Sequence, residues 1–213
     1  MPRDPHGYWL VDHPIYAIIP LVKIQKNLAS TRRRWLNKPI QAYGLQLWLI
    51  DNGSLTARLQ QRFSKFAVEP IAVKYAKLIQ DEAGLLRQSI HKTALIREVL
   101  LTGDNQPVVF AHSVLPRASL RGAWNRLGRL GNKPLGATLF ANPKVKRTAL
   151  SYKKLTPNHA LYQHATRHLA QEPDVRKPPY LWARRSIFSL SCANIMVTEV
   201  FLPDLLIEDL DKN

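Results

Sequence analysis

Short apolar runs separated by turn-forming clusters dominate this chain, and long helical periods are few. HKTALIREVLLTGDNQPVVFAHSVLP at 91–116 places two β-rich runs on either side of TGDNQ, the pattern of an antiparallel hairpin. YLWARRSIFSL at 180–190 and NIMVTEVFLP at 194–203 flank SCA and predict a second hairpin. FAVEPIAVKYAK at 66–77 predicts a strand with a break near Pro70, and 145–155 holds one more strand. Helical spacing appears between these runs. WLIDNGSLTARLQQRF at 48–63 reads as an apolar segment, a turn at Asp51, Asn52 and Gly53, and a helix capped by Ser54 with Leu55, Leu59 and Phe63 on one face. ASLRGAWNRLGRLGN at 118–132 predicts a helix closed by Gly131, with Trp124 packing inward beside Leu120 and Leu127. PNHALYQHATRHLA at 157–170 predicts another, with Pro157 near its start. Hairpin-joined strands with helices between them predict an α+β domain on an antiparallel sheet.

Within two of the strand runs a charge interrupts the apolar pattern: Arg97 in IREVLL at 96–101 and Glu199 in NIMVTEVFLP at 194–203. Side chains alternate across a strand, so Arg97 and Glu98 face opposite sides, and Glu199 shares a face with Val197 and Phe201. A strand charge ordinarily faces solvent. If it faces inward, it needs a partner or a ligand, because a lone buried charge is expensive. An inward arginine suits a carboxylate and an inward glutamate suits a hydroxyl or amine. Together they fit a closed pocket for a small acidic, hydroxylated molecule.

The 213 residues are 46% hydrophobic with five Trp, enough for the core of one domain. Residues 1–40, with Pro2, Pro5, Pro14, Pro20, Pro39 and the basic knot TRRRWL at 31–36, read as a basic, proline-rich extension. The apolar run IYAIIPLV at 15–22 is too short to span a membrane and has no small-residue cleavage site after it, so neither a span nor a signal peptide is expected. The single cysteine, Cys192, rules out an internal disulfide framework and a cysteine-based zinc site. It fits a reducing cytoplasm.

The formal charge of +16 is uneven: residues 105–171 carry eleven Lys/Arg and no Asp or Glu, while PDLLIEDLDKN at 203–213 is acidic. Such a field attracts nucleic acid, membranes or anionic metabolites without choosing among them. The run Arg32, Arg33 and Arg34 reads as a solvated turn that can touch phosphates. Arg121, Arg126 and Arg129 beside Trp124 admit a nucleic-acid reading. His159, His164 and His168 share one predicted helix, the last two at i,i+4, but no third ligand is evident. A solvated basic face is the expectation there, and no metal site. GRLGN at 128–132 lacks the Lys-Ser/Thr of a phosphate loop, and Ser186, Ser189 and Ser191 lack the setting of a hydrolase nucleophile.

Five segments, in order, resemble the bacterial chorismate lyase (chorismate pyruvate-lyase) family: WLIDNGSLTARL at 48–59, IREVLL at 96–101, LGNKPLGATLF at 130–140, LWARRSIFSL at 181–190 and TEVFLP at 198–203. The resemblance spans roughly residues 45 to 204, making 41–213 a chorismate lyase-like domain. Ala183 stands where the family often has glycine. The resemblance implies a sheet of about six antiparallel strands, with helices packed on it and helical flaps over an internal pocket. It implies conversion of chorismate to 4-hydroxybenzoate and pyruvate, the entry to ubiquinone synthesis, with no metal or organic cofactor. By position, Arg97 matches the carboxylate-binding arginine and Glu199 the acid that contacts the product's hydroxyl. Leu55 and Leu135 match positions that line the site and offer backbone N–H groups to the ligand carboxylate. The expectation is a cytoplasmic monomer whose partner is chorismate, without a dedicated nucleic-acid function. The competing reading is a non-catalytic ligand sensor of the same fold, as in bacterial transcription regulators; a basic nucleic-acid-binding protein is the more distant one.

Overall fold

A computed structural model describes residues 34–125, 127, 130–131, 133–169 and 177–209. Residues 1–33, the side chains of Arg126 and Arg129, and the end of the acidic C-terminal stretch lie outside the described residues. From Trp35 onward the chain forms one compact unit. Its strands are β1 (Phe66–Lys77), β2 (Thr93–Gly103), β3 (Gln106–Pro116), β4 (Lys146–Arg147), β5 (Ser151–Leu155), β6 (Leu181–Leu190) and β7 (Ala193–Phe201). The helices are α1 (Gln46–Ile50), α2 (Leu55–Arg62), α3 (Gln80–Leu85), α4 (Arg117–Arg121), α5 (Leu135–Ala141) and α6 (Ala160–Thr166).

All seven strands join one antiparallel sheet in the order β1-β2-β3-β7-β6, and the outer edge of β6 is shared by β4 and β5. β4 pairs with Phe188 and Ser189, and β5 pairs with residues 181–185, so the two short strands lie end to end. Seven strands therefore fill six positions. The two hairpins turn on Asp104-Asn105 and Ser191-Cys192, all four at positive φ, the geometry that matches the twist of the flanking strands. β1 slips register between Pro70 and Ala72, because proline offers no N–H to the ladder and an edge strand tolerates the gap.

Both faces of the sheet are covered, so β2 is buried from Ala94 through Gly103. On one face Leu49, Leu55, Leu59 and Phe63 from the α1–α2 region pack on Val99, Leu101, Val109 and Phe201, and Leu135 and Leu139 of α5 pack on Leu95, Leu115 and Phe188. On the other, Leu161, Tyr162 and Ala165 of α6 pack on Leu100, Phe110, Ala183 and Val200. Gly103 is what lets Phe63 lie flat on the end of β2, since a Cβ there would sit 2.4 Å from the ring.

Two helical expectations change. The helix expected over 118–132 stops at Arg121, where Gly122 takes a φ of −111° and a ψ of −125° and leaves the helical region. Trp124 is nonetheless buried beside Leu127, and its indole N–H donates to the Ala193 carbonyl at 2.8 Å. The histidine helix starts at Ala160 with His159 as its N-cap, accepting from the Leu161 N–H. Its histidines do not form a solvated basic face. They turn toward the sheet, where His164 meets Glu98 at 2.7 Å and His168 stacks on Phe110. The apolar stripe of Leu161, Tyr162 and Ala165 fixes that face inward, and the histidines are carried with it.

Candidate active site

Cross-strand register sets the floor of a cavity on the face covered by α2 and α5. Arg97, Ser113, Val197 and Ser186 form one row across β2, β3, β7 and β6. Val99, Ala111, Glu199 and Arg184 form the next row. Ala111 and Ser113 sit mid-sheet where a larger side chain would fill the space. Above them Leu55 and Thr56 of α2 and Leu135, Gly136, Leu139 and Phe140 of α5 close the cavity, which holds about 40 Å³ for the centre of a water molecule. A Cβ on Gly136 would come within 3.2 Å of the Thr56 hydroxyl, so glycine is what lets α5 approach the start of α2. Arg97, Glu199, Leu55 and Leu135 all line this one cavity.

Arg97 is 4% exposed. Its Nη2 donates to the carbonyls of Gly131 (2.9 Å) and Lys133 (3.1 Å), which fixes the guanidinium against the loop before α5. Its Nε is buried without a hydrogen-bond partner among the described residues. Burial lowers the arginine's pKa, and no acid among the described residues pairs with it. An oriented cation with an unused donor in a cavity is prepared for an anion. Leu55 and Leu135 are each the first residue of a helix, so their N–H groups precede the intrahelical ladder.

Glu199 is held by a residue that escaped notice in the sequence. Arg184 is fully buried, and its Nε donates to Glu199 Oε2 at 2.5 Å. Its Nη1 donates to the carbonyls of Trp48 (2.7 Å), Leu49 (3.3 Å) and Asp51 (2.7 Å). These are the carbonyls at and just beyond the end of α1, where a helix leaves acceptors unpaired and favours a cation. One oxygen of Glu199 is thus committed to Arg184, and Oε1 makes no protein hydrogen bond among the described residues. Asp51 braces the same turn. Burial would raise its pKa, but the Gly53 N–H and Arg58 hold it below the usual carboxylate range.

Arg147, on β4, also lines the cavity. Its Nε donates to Ser186 Oγ (2.8 Å) and its Nη1 to the Asn52 carbonyl (3.0 Å). A two-residue strand carries no periodic signal, so the sequence pattern does not reveal it. Arg184 is different, because Arg184 and Arg185 interrupt an apolar β run as Arg97 does, and alternation sends one to each face.

The opposite face holds a separate polar layer. His112 places Nδ1 3.0 Å from Glu98 and Nε2 3.0 Å from Glu82. Burial opposes charge on this ring, yet the two carboxylates outweigh it and push His112 up to about 9. Burial likewise opposes charge on Glu98, but His112 and His164 hold its carboxyl well below the usual range. Nearby, Asp81 accepts from the Trp35 indole (2.6 Å) and faces His159, Lys153 and Arg185. Among the described residues no group of three His, Cys, Asp or Glu side chains could hold a metal ion.

The sequence profile described as chorismate lyase matches residues 32–209. The chain belongs to the chorismate lyase family. A protein of Methylobacillus flagellatus named as a probable chorismate pyruvate-lyase is 46% identical over 175 residues, 82% of this chain and 96% of its own. Another of the same name from Nitrosospira multiformis is 49% identical over 160 residues, 75% of this chain and 86% of its own. The crystal structure of the PhnF C-terminal domain shares the fold, with a TM-score of 0.50 at 12% identity over 69% of this chain and 89% of that one. Within this chorismate lyase family member, no described helix is long and apolar enough to cross a membrane.

Proposed function

We propose that this member of the chorismate lyase family converts chorismate to 4-hydroxybenzoate and pyruvate, the entry to ubiquinone synthesis, in the cavity between the sheet and helices α2 and α5. The observation that carries the reading is the convergence of Arg97, Glu199, Leu55 and Leu135 on that one cavity. Chorismate is a dianion with a ring hydroxyl opposite its ring carboxylate. Arg97 takes the ring carboxylate, helped by the backbone N–H groups of Leu55 and Leu135 at the starts of their helices. Glu199, oriented by Arg184, accepts the hydroxyl's hydrogen bond on Oε1.

The reaction is an elimination in which atoms balance without a co-reactant. The ether bond between the ring and the enolpyruvyl oxygen breaks, and hydrogen leaves the ring carbon that bears the hydroxyl. A carbon–carbon double bond forms between those two ring carbons, completing the aromatic ring. The hydrogen ends on the methylene carbon, giving the methyl group of pyruvate. No electron acceptor or activated water is required by this balance, so holding the enolpyruvyl group over the ring in a reactive pose is the main task of the site. A cytoplasmic location matches the chemistry of a soluble metabolite, and the extension ends before Trp35, since Leu36 bridges Tyr152 and the chain from Trp35 onward belongs to the domain's compact unit.

The test is direct. The protein mixed with chorismate should release 4-hydroxybenzoate, read by its absorbance, and pyruvate in equal amounts, before and after exhaustive chelation. Tight binding of 4-hydroxybenzoate with no turnover would overturn the reading in favour of a sensor. Loss of turnover on chelation, restored by zinc, would overturn the cofactor-free chemistry.

A further inference from the structure

Arg97 accounts for one of the substrate's two carboxylates. The second, on the enolpyruvyl group, leaves the ring from the carbon next to the hydroxyl. With the ring carboxylate on Arg97 and the hydroxyl on Glu199, that group must emerge beside Glu199, on the side of the cavity away from Arg97. A buried anion there needs a cation.

Arg147 occupies that place. It hangs from β4 opposite Phe188 and reaches Ser186, which ends the row that begins at Arg97. Three strand spacings separate β2 from β6, about 14 Å between backbones. Arg97 and Arg147 therefore enter from opposite walls, with Ser113 and Val197 as the floor between them. Ser186, the Asn52 carbonyl and the rings of Phe140 and Phe188, whose centroids lie 5.4 and 5.2 Å from the guanidinium carbon, fix its plane. Nη2 has no hydrogen-bond partner among the described residues. None of their acids forms an ion pair with it. Burial lowers its pKa, while the Glu199 charge acts the other way.

We propose that Arg147 binds the carboxylate of the enolpyruvyl group, so that each substrate carboxylate is held by its own arginine. This rests on the lyase reading above and adds a consequence that reading lacks. The product 4-hydroxybenzoate has lost the group that Arg147 grips. Arg147 therefore distinguishes substrate from product, whereas Arg97 and Glu199 touch both.

The experiment compares chorismate turnover with 4-hydroxybenzoate affinity, measured by calorimetry, in Arg147→Met and Arg147→Lys. For Arg147→Met, kcat/KM should fall on the order of a hundredfold, the usual loss when one partner of a buried charge pair is removed. Affinity for 4-hydroxybenzoate should stay within about threefold, and competitive inhibition by pyruvate should weaken. Arg147→Lys should recover part of the turnover, because charge survives without the fork. Arg97→Ala is the reference that loses both turnover and product binding. Should Arg147→Met not fold, Ser186→Ala, which removes only the Nε anchor, carries the same ratio in smaller measure. Turnover within threefold of wild type in a folded Arg147→Met, or equal loss of turnover and product binding, would overturn the assignment while leaving the lyase reading intact. A wild-type protein that does not turn over chorismate would instead bring down the lyase reading and this assignment with it.

Discussion

Replacing Glu199 by glutamine separates two roles that its position allows. The side chain is 15% exposed and its partner Arg184 is not exposed at all. Breaking a buried ion pair outright costs about 3–5 kcal/mol. Glutamine keeps an acceptor for Arg184 Nε, and Arg184 retains its carbonyls at the end of α1. Only the charge-assisted part is lost, about 1.5–3 kcal/mol, so Tm should fall by roughly 4–10 °C. The folded variant then reports on the chemistry. If Glu199 only orients the ring hydroxyl, the amide NH2 that replaces Oε1 can still donate to the hydroxyl oxygen and kcat should fall about tenfold, or about 1.4 kcal/mol. If Glu199 removes the ring hydrogen, glutamine cannot, and the loss should reach about a hundred- to ten-thousandfold. We favour orientation, because Arg184 already holds one oxygen and the substrate can deliver its hydrogen internally. The assay is 4-hydroxybenzoate formation at saturating chorismate, with single-turnover measurement to remove product release, and melting to confirm the fold. A loss beyond a thousandfold in a folded variant refutes the orienting role, and an unchanged rate removes Glu199 from the site.

Arg97→Ala should lower kcat/KM by about a hundredfold or more and weaken 4-hydroxybenzoate binding in parallel; wild-type kinetics would show that its cavity position serves no ligand. Gly136→Ala puts a methyl group against the Thr56 hydroxyl and should raise KM severalfold with little change in Tm, and unaltered kinetics would mean that the α2–α5 approach does not shape the cavity. His112 binds its proton more tightly in the fold, at about 9, than in an unfolded chain, at 6.5. Its contribution to stability is therefore complete below pH 6.5 and lost as pH rises through 9, a loss on the order of a few kcal/mol. Urea unfolding between pH 6 and 9.5 checks this, and stability that is flat or rising for the wild type but not for His112→Phe would contradict it.

The hairpins, the Ser54 cap and the strand break at Pro70 were legible because each has a local cause: turn residues, a side-chain acceptor, a missing donor. Alternation likewise pairs Arg97 with Glu98 on opposite faces. It cannot say that both faces are covered, since that depends on which helices return to which side. That is why His164, expected on a solvated face, instead meets the buried Glu98 of the layer around His112 and is only partly exposed. The helix at 118–132 failed at Gly122, where a tolerable glycine became a break once Trp124 found its acceptor on β7. Arg147 was invisible because a two-residue strand has no period.

Arg184 has one more consequence. It bonds at once to the end of α1 and to the Glu199 carboxylate, which lines the cavity. The helix that begins beyond Asp51 and the Glu199 carboxylate are thereby parts of one interlock. If α1 swings away from the sheet, Arg184 must either follow it and release Glu199 or stay and forfeit its carbonyls. Either way a bond is lost, so the seating of α1 on the sheet and the setting of Glu199 stabilise one another through a single side chain.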